Sequence, residues 1–518
     1  MKNNFLKCLL STVLLFGIST SSAHALTLDY IAGSDRYETA SMIASKMQYS
    51  SAILVNGLSI VDGLSASGLS GALNAPILLT EKNKIPSSTL AKLQSVNTIY
   101  IVGGPTVVSS EIENTLRNMG KSIVRLGGLD RYLTSITVAN QIETLKGVQE
   151  IYYVNGARGE ADAMSISPVA AKTGNPVILT DGSSTSYRKN VQAYSIGGFQ
   201  VLNRSFDNFA QRITGIDRFE TNKNVINKFF PNKTHVNLSK SDVLIDALTA
   251  SALKEPVVLI SNTSNKTAIA GAQSATVFGN INKIAVNRAK GYIYGEKVVF
   301  YSQHQDDETL FAGSAIVDAI ESVGSENVHI VLITDGSGSE VFNWPKYINY
   351  PISEKVALRN NEFNASLSKL GVNLNNVIYL NQPENNINYD SLRQTVNYFE
   401  TTYSNVTHVA HSYKYDTHPQ HLTSGQLIYS LYNDGVIKDC RFFTTSEDVS
   451  RLNTDFLIES VCDTTLEKQR VLSAAFEYSL DNKDMVREGI GYKSVERLFN
   501  ILTNDPNVTS YLHEPETR

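Results

Sequence analysis

Along this chain, short runs of consecutive apolar residues alternate with stretches whose apolar positions recur every three or four residues. That alternation predicts parallel strands buried on both faces and joined by helices. It also recurs as a fixed series. An apolar run leads to Val55-Asn56-Gly57, a helix-like stretch opens on Asp62, a second run spans Pro76 to Thr80, and a third ends at Gly103-Gly104. The same order returns at Val154-Asn155-Gly156, Asp162, Pro176 to Thr180 and Gly197-Gly198. It returns again at Val236-Asn237-Leu238, Asp246, Pro256 to Ile260 and Gly279-Asn280. A common signature precedes each series: Gly33-Ser34-Asp35-Arg36-Tyr37-Glu38-Thr39, Gly128-Leu129-Asp130-Arg131-Tyr132-Leu133-Thr134 and Gly215-Ile216-Asp217-Arg218-Phe219-Glu220-Thr221. Asp35 and Asp130 lie 95 residues apart, and Asp130 and Asp217 lie 87 apart, so each copy is a small domain and not a solenoid turn.

These ordered landmarks, over about residues 30 to 292, resemble the cell wall binding repeat type 2 family of clostridial surface proteins. The resemblance implies three Rossmann-like modules packed as an intramolecular pseudo-trimer that holds the protein non-covalently to an anionic cell-wall polymer. The expected divisions are 26–125, 126–213 and 214–292, the third copy being a shorter one that closes the trimer. Arg36, Arg131 and Arg218 are expected to fix the modules' own turns. No copy carries G-x-G-x-x-G after its first strand, which excludes a dinucleotide fingerprint.

After Glu296 the pattern changes. A strand, Lys297 to Ser302, runs into His304-Gln305-Asp306-Asp307-Glu308, and a helical face follows through Leu310, Phe311, Ala315, Ile316, Ala319, Ile320 and Val323. The charged cluster therefore falls at the carboxyl end of a strand, where open α/β sheets bind ligands. His304 and Asp307, three apart, can converge on one point, while Asp306 projects elsewhere, and the helix that follows favours ionised carboxylates. Farther on, His418-Pro419-Gln420-His421 opens another helical pattern, with Pro419 at its first position and both histidines on one face. Four of the nine histidines (His408, His411, His418, His421) fall within fourteen residues. A nitrogen and oxygen donor set without cysteine fits a catalytic zinc site.

The two motifs resemble those of the PIG-L/LmbE-like N-acetylglucosaminyl deacetylases, whose signature is a strand ending in His-Pro-Asp-Asp-Glu and a later His-Pro-Asp-His. The implied domain, 296–518, is a C-terminal Rossmann-like deacetylase. Carried over by position, the resemblance makes His304, Asp307 and His421 the ligands of one Zn2+ ion, with iron(II) or another divalent metal as an alternative. Asp306 becomes the general base, and a protonated His418 steadies the transition state. Arg359 and Asp335 become substrate contacts, each with a purely structural alternative: a salt bridge to Glu362 or Glu354, and a loop cap. Gln305 replaces the family's Pro and Gln420 its Asp, which puts the orientation of His418 or His421 in question.

Composition adds location. Residues 1–25 read as a secretory signal: Lys2 and Lys7, an apolar run from Leu9 to Ile18, then Ala23-His24-Ala25. No later stretch approaches the roughly 20 apolar residues of a membrane span. A net charge of −5 argues against nucleic acid as a partner. Cys440 and Cys462 can pair or stay reduced. The fold class expected is thus α/β throughout. The function expected is that of a secreted, wall-attached metal-dependent hydrolase removing acetyl groups from N-acetylglucosamine-type glycans. The alternative is a non-catalytic surface-layer or adhesive protein with an inactive deacetylase-like domain.

Overall fold

The protein is seen in a computed structural model that describes residues 28–516; the expected signal segment lies outside the described residues. Three four-stranded parallel sheets and one seven-stranded mixed sheet carry the architecture. In the first sheet the strands run Ile77–Thr80, Ser51–Asn56, Thr98–Val102, Ser122–Leu126, and in the second Val177–Thr180, Glu150–Asn155, Gln192–Ile196, Gln211–Ile213. In both, the last strand is the one that leads into the next unit's signature. The third sheet has His235–Lys240, Val257–Ile260 and Ser274–Phe278, and its equivalent edge is filled by Leu28–Ile31, paired in parallel with Ser274–Phe278. The start of the described chain thereby closes a ring of three units. The expected boundary between 125 and 126 falls inside the strand Ser122–Leu126, which belongs to the first sheet.

The signature is local scaffolding. Asp35, Asp130 and Asp217 are N-caps, each accepting at 2.8 Å from a backbone N–H of the following helix (Glu38, Leu133, Glu220). The Nη1 groups of Arg36, Arg131 and Arg218 donate to the carbonyls of Gly57, Gly156 and Ser241, at 2.6, 2.6 and 2.9 Å. These bonds tie each helix start to the end of the next strand.

The ring has a shared centre. One core runs from Ile31 to Ile293, and helix Glu160–Thr173 packs on both Ala66–Leu73 and Ile245–Ser251. A Cβ on Gly71 would lie 2.0 Å from the Ala171 carbonyl oxygen, so only glycine permits that helix approach. At each seam a buried acid of one unit lies near the signature Arg of the next: Asp62 by Arg131, Asp162 by Arg218, Asp246 by Arg36. Burial raises all three carboxyls, Asp162 to about 7.

The seven-stranded sheet runs Val377–Gln382, Val328–Thr334, Lys297–Ser302, Val406–His411, Asp439–Thr444, Ser510–His513, Leu457–Ser460; the first five are parallel, and Ser510–His513 is antiparallel to both of its neighbours. From Lys297–Ser302 the chain builds outward on one side, then crosses to Val406–His411 on the other. The topological switch point lies between those two strands, at whose carboxyl ends open α/β sheets bind ligands. This domain docks directly on the third unit. Arg288 meets Glu459 at 3.1 Å, Lys290 meets Glu514 at 2.7 Å, Lys283 pairs with Asp455, and Tyr292 donates to Asp463 at 3.1 Å. Every cation in those pairs is on the repeat side and every acid on the other. No disulfide joins Cys440 and Cys462. Among the described residues no helix is long and apolar enough to cross a membrane.

Candidate metal centre

Both motifs emerge at the switch point. The strand Lys297–Ser302 delivers His304, and the strand Val406–His411 ends on a histidine and leads to helix Pro419–Asn433, whose first residue is Pro419 and whose N-cap is His418. The helix expected through Val323 is broken. A four-residue turn, Asp307–Leu310, stops at Phe311, and a second helix runs Gly313–Val323. The helix-end field expected at the carboxylates is accordingly weaker than a long helix would give.

Three donor atoms face one another. His304 Nδ1 lies 3.1 Å from His421 Nε2, and Asp307 Oδ2 lies 3.4 Å from each. Zinc–ligand bonds of about 2.0–2.2 Å at tetrahedral angles put neighbouring donors roughly 3.3 Å apart. The triangle therefore has the size of one face of such a shell. His418 joins from one side and His411 from the other; the His304, His418 and His421 nitrogens lie within 4.8 Å of one another, as do the donors of Asp307, His411 and His421.

The surroundings hold this set in place. His421 Nδ1 donates to Asp416 Oδ2 at 3.0 Å, which turns its Nε2 toward the triangle. His411, the last residue of its strand, stacks on His421 with ring centroids 3.8 Å apart and lies 3.2 Å from Asp307 Oδ2. Burial works against the charge of Asp307, but His421 and His411 outweigh it and hold the carboxyl well below its usual range. Burial likewise opposes Asp416, and the hydrogen bond from His421 together with His411, whose Nδ1 lies 3.6 Å away, keeps it ionised. Neither Asp416 nor the place of His411 was legible from motif spacing. The one available hint was that both sit within ten residues of His421 in a histidine-dense segment.

Asp306 has φ +111°, a conformation costly for a residue with a side chain. Two contacts pin it: its N–H donates to Glu308 Oε2 at 3.0 Å, and Arg359 Nη2 bonds its Oδ2 at 2.9 Å while also donating to the Gln305 carbonyl. Burial raises Asp306 to about 6 in spite of Arg359, and raises Glu308 to about 7.

Arg359 and Asp335 take the structural alternatives already open to them, and one expectation, for His418, changes. Arg359 is 2% exposed, its Nη2 bonding Asp306 and the Gln305 carbonyl and its Nη1 lying 3.6 Å from Glu362, so it is buried bracing the loop. Asp335 caps its own loop, accepting from the Ser337 N–H and hydroxyl at 2.9 and 2.8 Å. His418 is not held protonated: burial, then the charges of His421 and His304, lower it to about 4. Gln305 is buried and bonds Asn360 at 3.0 Å.

Residues 30–113, 125–207 and 212–299 match the family model of cell wall binding domain 2 (CWB2), and residues 299–432 match that of GlcNAc-PI de-N-acetylase. The chain is three CWB2 repeats followed by a PIG-L domain. All the triangle donors lie inside that PIG-L match. Over 316 residues the chain is 29% identical to N-acetylmuramoyl-L-alanine amidase LytC of Bacillus subtilis, covering 56% of this chain and 63% of that protein. The curated relatives it matches are covered over less than two thirds of their length. Among solved structures, Cwp8 from Clostridium difficile is similar at 31% identity, covering 50% of this chain and 51% of that one, with a TM-score of 0.47. N,N'-diacetylchitobiose deacetylase from Pyrococcus horikoshii aligns at 17% identity over 43% of this chain and 84% of its own, with a TM-score of 0.31. The domain order is that of a cell-wall-associated protein bearing a deacetylase-type domain.

Proposed function

We propose that the PIG-L domain is a zinc-dependent deacetylase of N-acetylated amino sugars and that the CWB2 ring is secreted with it and anchors it to an anionic wall polymer. The observation that carries the reading is the triangle of His304 Nδ1, Asp307 Oδ2 and His421 Nε2, with sides of 3.1, 3.4 and 3.4 Å. These three residues would hold the ion. Bound zinc supplies Lewis acidity and lowers the pKa of a water toward about 7.

The chain's own groups account for the proton traffic. Asp306, with a carboxyl near 6, takes a proton from the attacking water close to neutrality and returns it to the departing amine. Arg359 fixes the direction of that carboxylate, and Glu308 fixes the backbone beneath it. His418, neutral and exposed at the mouth, donates a single N–H toward the acetamide oxygen as charge develops there. Docking of the domain on the ring keeps a wall glycan at high local concentration without further substrate contacts. The intact donor triangle speaks against the non-catalytic alternative.

Acetate release from N,N'-diacetylchitobiose by the full chain tests the reading. Activity that disappears in Asp306→Asn while zinc stays bound supports the assigned base; equal activity in that variant rejects it.

A further inference from the structure

The substituted position of the second motif has acquired a different partner. Gln420 stands where the resembling signature has Asp, between His418 and His421, yet its side chain reaches neither. Its Oε1 lies 2.7 Å from His304 Nε2, and its Nε2 donates to the Glu384 carbonyl at 3.0 Å. The second contact fixes the first. A backbone carbonyl only accepts, so the NH2 end of the amide must face Glu384 and the oxygen must face His304. His304 Nε2 then carries the proton, and its lone pair is left on Nδ1, the atom in the donor triangle.

The two histidine ligands are thus tied off by different chemistry. The far nitrogen of His421 meets a carboxylate, Asp416, whereas that of His304 meets a neutral amide. An amide orients the ring and selects the tautomer but adds no negative charge. It also bolts the site to the segment that follows strand Val377–Gln382, through Glu384.

We propose that Gln420 is a positioning residue for the metal: by accepting from His304 Nε2 it holds that histidine as an Nδ1 ligand, and this sets the affinity of the site. The inference rests on the proposed zinc reading. It departs from what the motif alone implies, which concerned His418 or His421.

The test uses full-length protein stripped with chelator, titrated with zinc against a competing indicator, and separately with cobalt(II) to read the visible absorption of the bound ion. Gln420→Met preserves size and removes the acceptor; Gln420→Glu preserves an acceptor toward His304 and removes the donor toward Glu384. The expected result is about a 10–100-fold weaker zinc affinity for Gln420→Met, an altered cobalt spectrum, and an affinity for Gln420→Glu no weaker than the parent's. Parent affinity in Gln420→Met would mean the residue only fills space, and would overturn the proposal. Equal losses in both variants would assign the effect to the Glu384 contact, and would also overturn it. A parent protein that binds neither ion would instead overturn the zinc reading on which the inference stands. Far-UV circular dichroism of the metal-free variants shows whether each is folded before its titration is read.

Discussion

Replacing Asp416 by Ala is expected to weaken the metal-free protein by about 3–6 kcal/mol, because two hydrogen bonds to a buried carboxylate vanish at about 1.5–3 kcal/mol each. Those bonds come from His421 Nδ1 at 3.0 Å and from the His418 backbone N–H at 2.8 Å, and Asp416 is 8% exposed. At about 2–4 °C per kcal/mol for a unit of this size, the melting temperature of the PIG-L domain should fall by about 6–24 °C. The pH dependence has a definite sign. Asp416 titrates below its unfolded value of about 3.9, so its contribution is present above that pH and is lost on acidification toward the lower folded value. His421 is shifted the other way: burial and His411 oppose the shift, but Asp307 and Asp416 raise it, so its part is full below about 6.5 and declines as pH rises through the folded value. The difference between parent and Asp416→Ala should therefore peak near pH 5–6, between those reference values of about 3.9 and 6.5, shrink in acid, and fall only partly above neutrality. Calorimetry in chelator at four or five pH values measures it. A difference below about 0.5 kcal/mol, the ordinary range of surface substitutions, or one unchanged down to pH 3, would refute the orienting role.

Three further outcomes follow from other parts of the molecule. Gly197→Ala combines φ +120° with a Cβ placed 2.6 Å from Asp162 Oδ2, and should cost more than about 2 kcal/mol in ring stability; Gly120→Ala, also at positive φ but with open space around it, should cost about 1 kcal/mol, both read by thermal unfolding. Arg288→Glu should loosen the joint between ring and PIG-L domain by about 1 kcal/mol or more, raising protease cleavage near residues 291–296, with Glu459→Arg in the same chain restoring resistance. If Asp306 is the base, kcat/KM should rise with pH through a value at or below about 6, since a bound cation can only lower the carboxyl further, and Asp306→Asn should remove that limb.

What could be read in advance tracks how local each feature is. The strand Lys297–Ser302 and the helix start at Pro419 follow from consecutive apolar residues and from proline's fixed φ, and both stand where the pattern put them. The three repeats were equally legible, because a recurring order of landmarks survives divergence at any one of them. Ring closure by Leu28–Ile31 was not, since nothing in that strand states which sheet edge it will join, and the pairing spans more than 240 residues of sequence. At the site, the donors were suggested by the motifs, but their supports depend on three-dimensional neighbours: Asp416 reaches His421 across a helix start, and Arg359 turns inward because a buried Asp306 needs a cation more than the solvent-facing cleft does. Gln420 shows the limit of reading by position. The residue expected to disturb His418 or His421 bonds His304 instead.

Whether His304, Asp307 and His421 hold a metal ion is tested most directly by the zinc content, measured by mass spectrometry, of the purified full-length protein beside His304→Ala. One equivalent of zinc in the parent, with most of it lost in the variant, is the predicted result. A parent without stoichiometric metal, or a variant that keeps the full equivalent, would contradict the account.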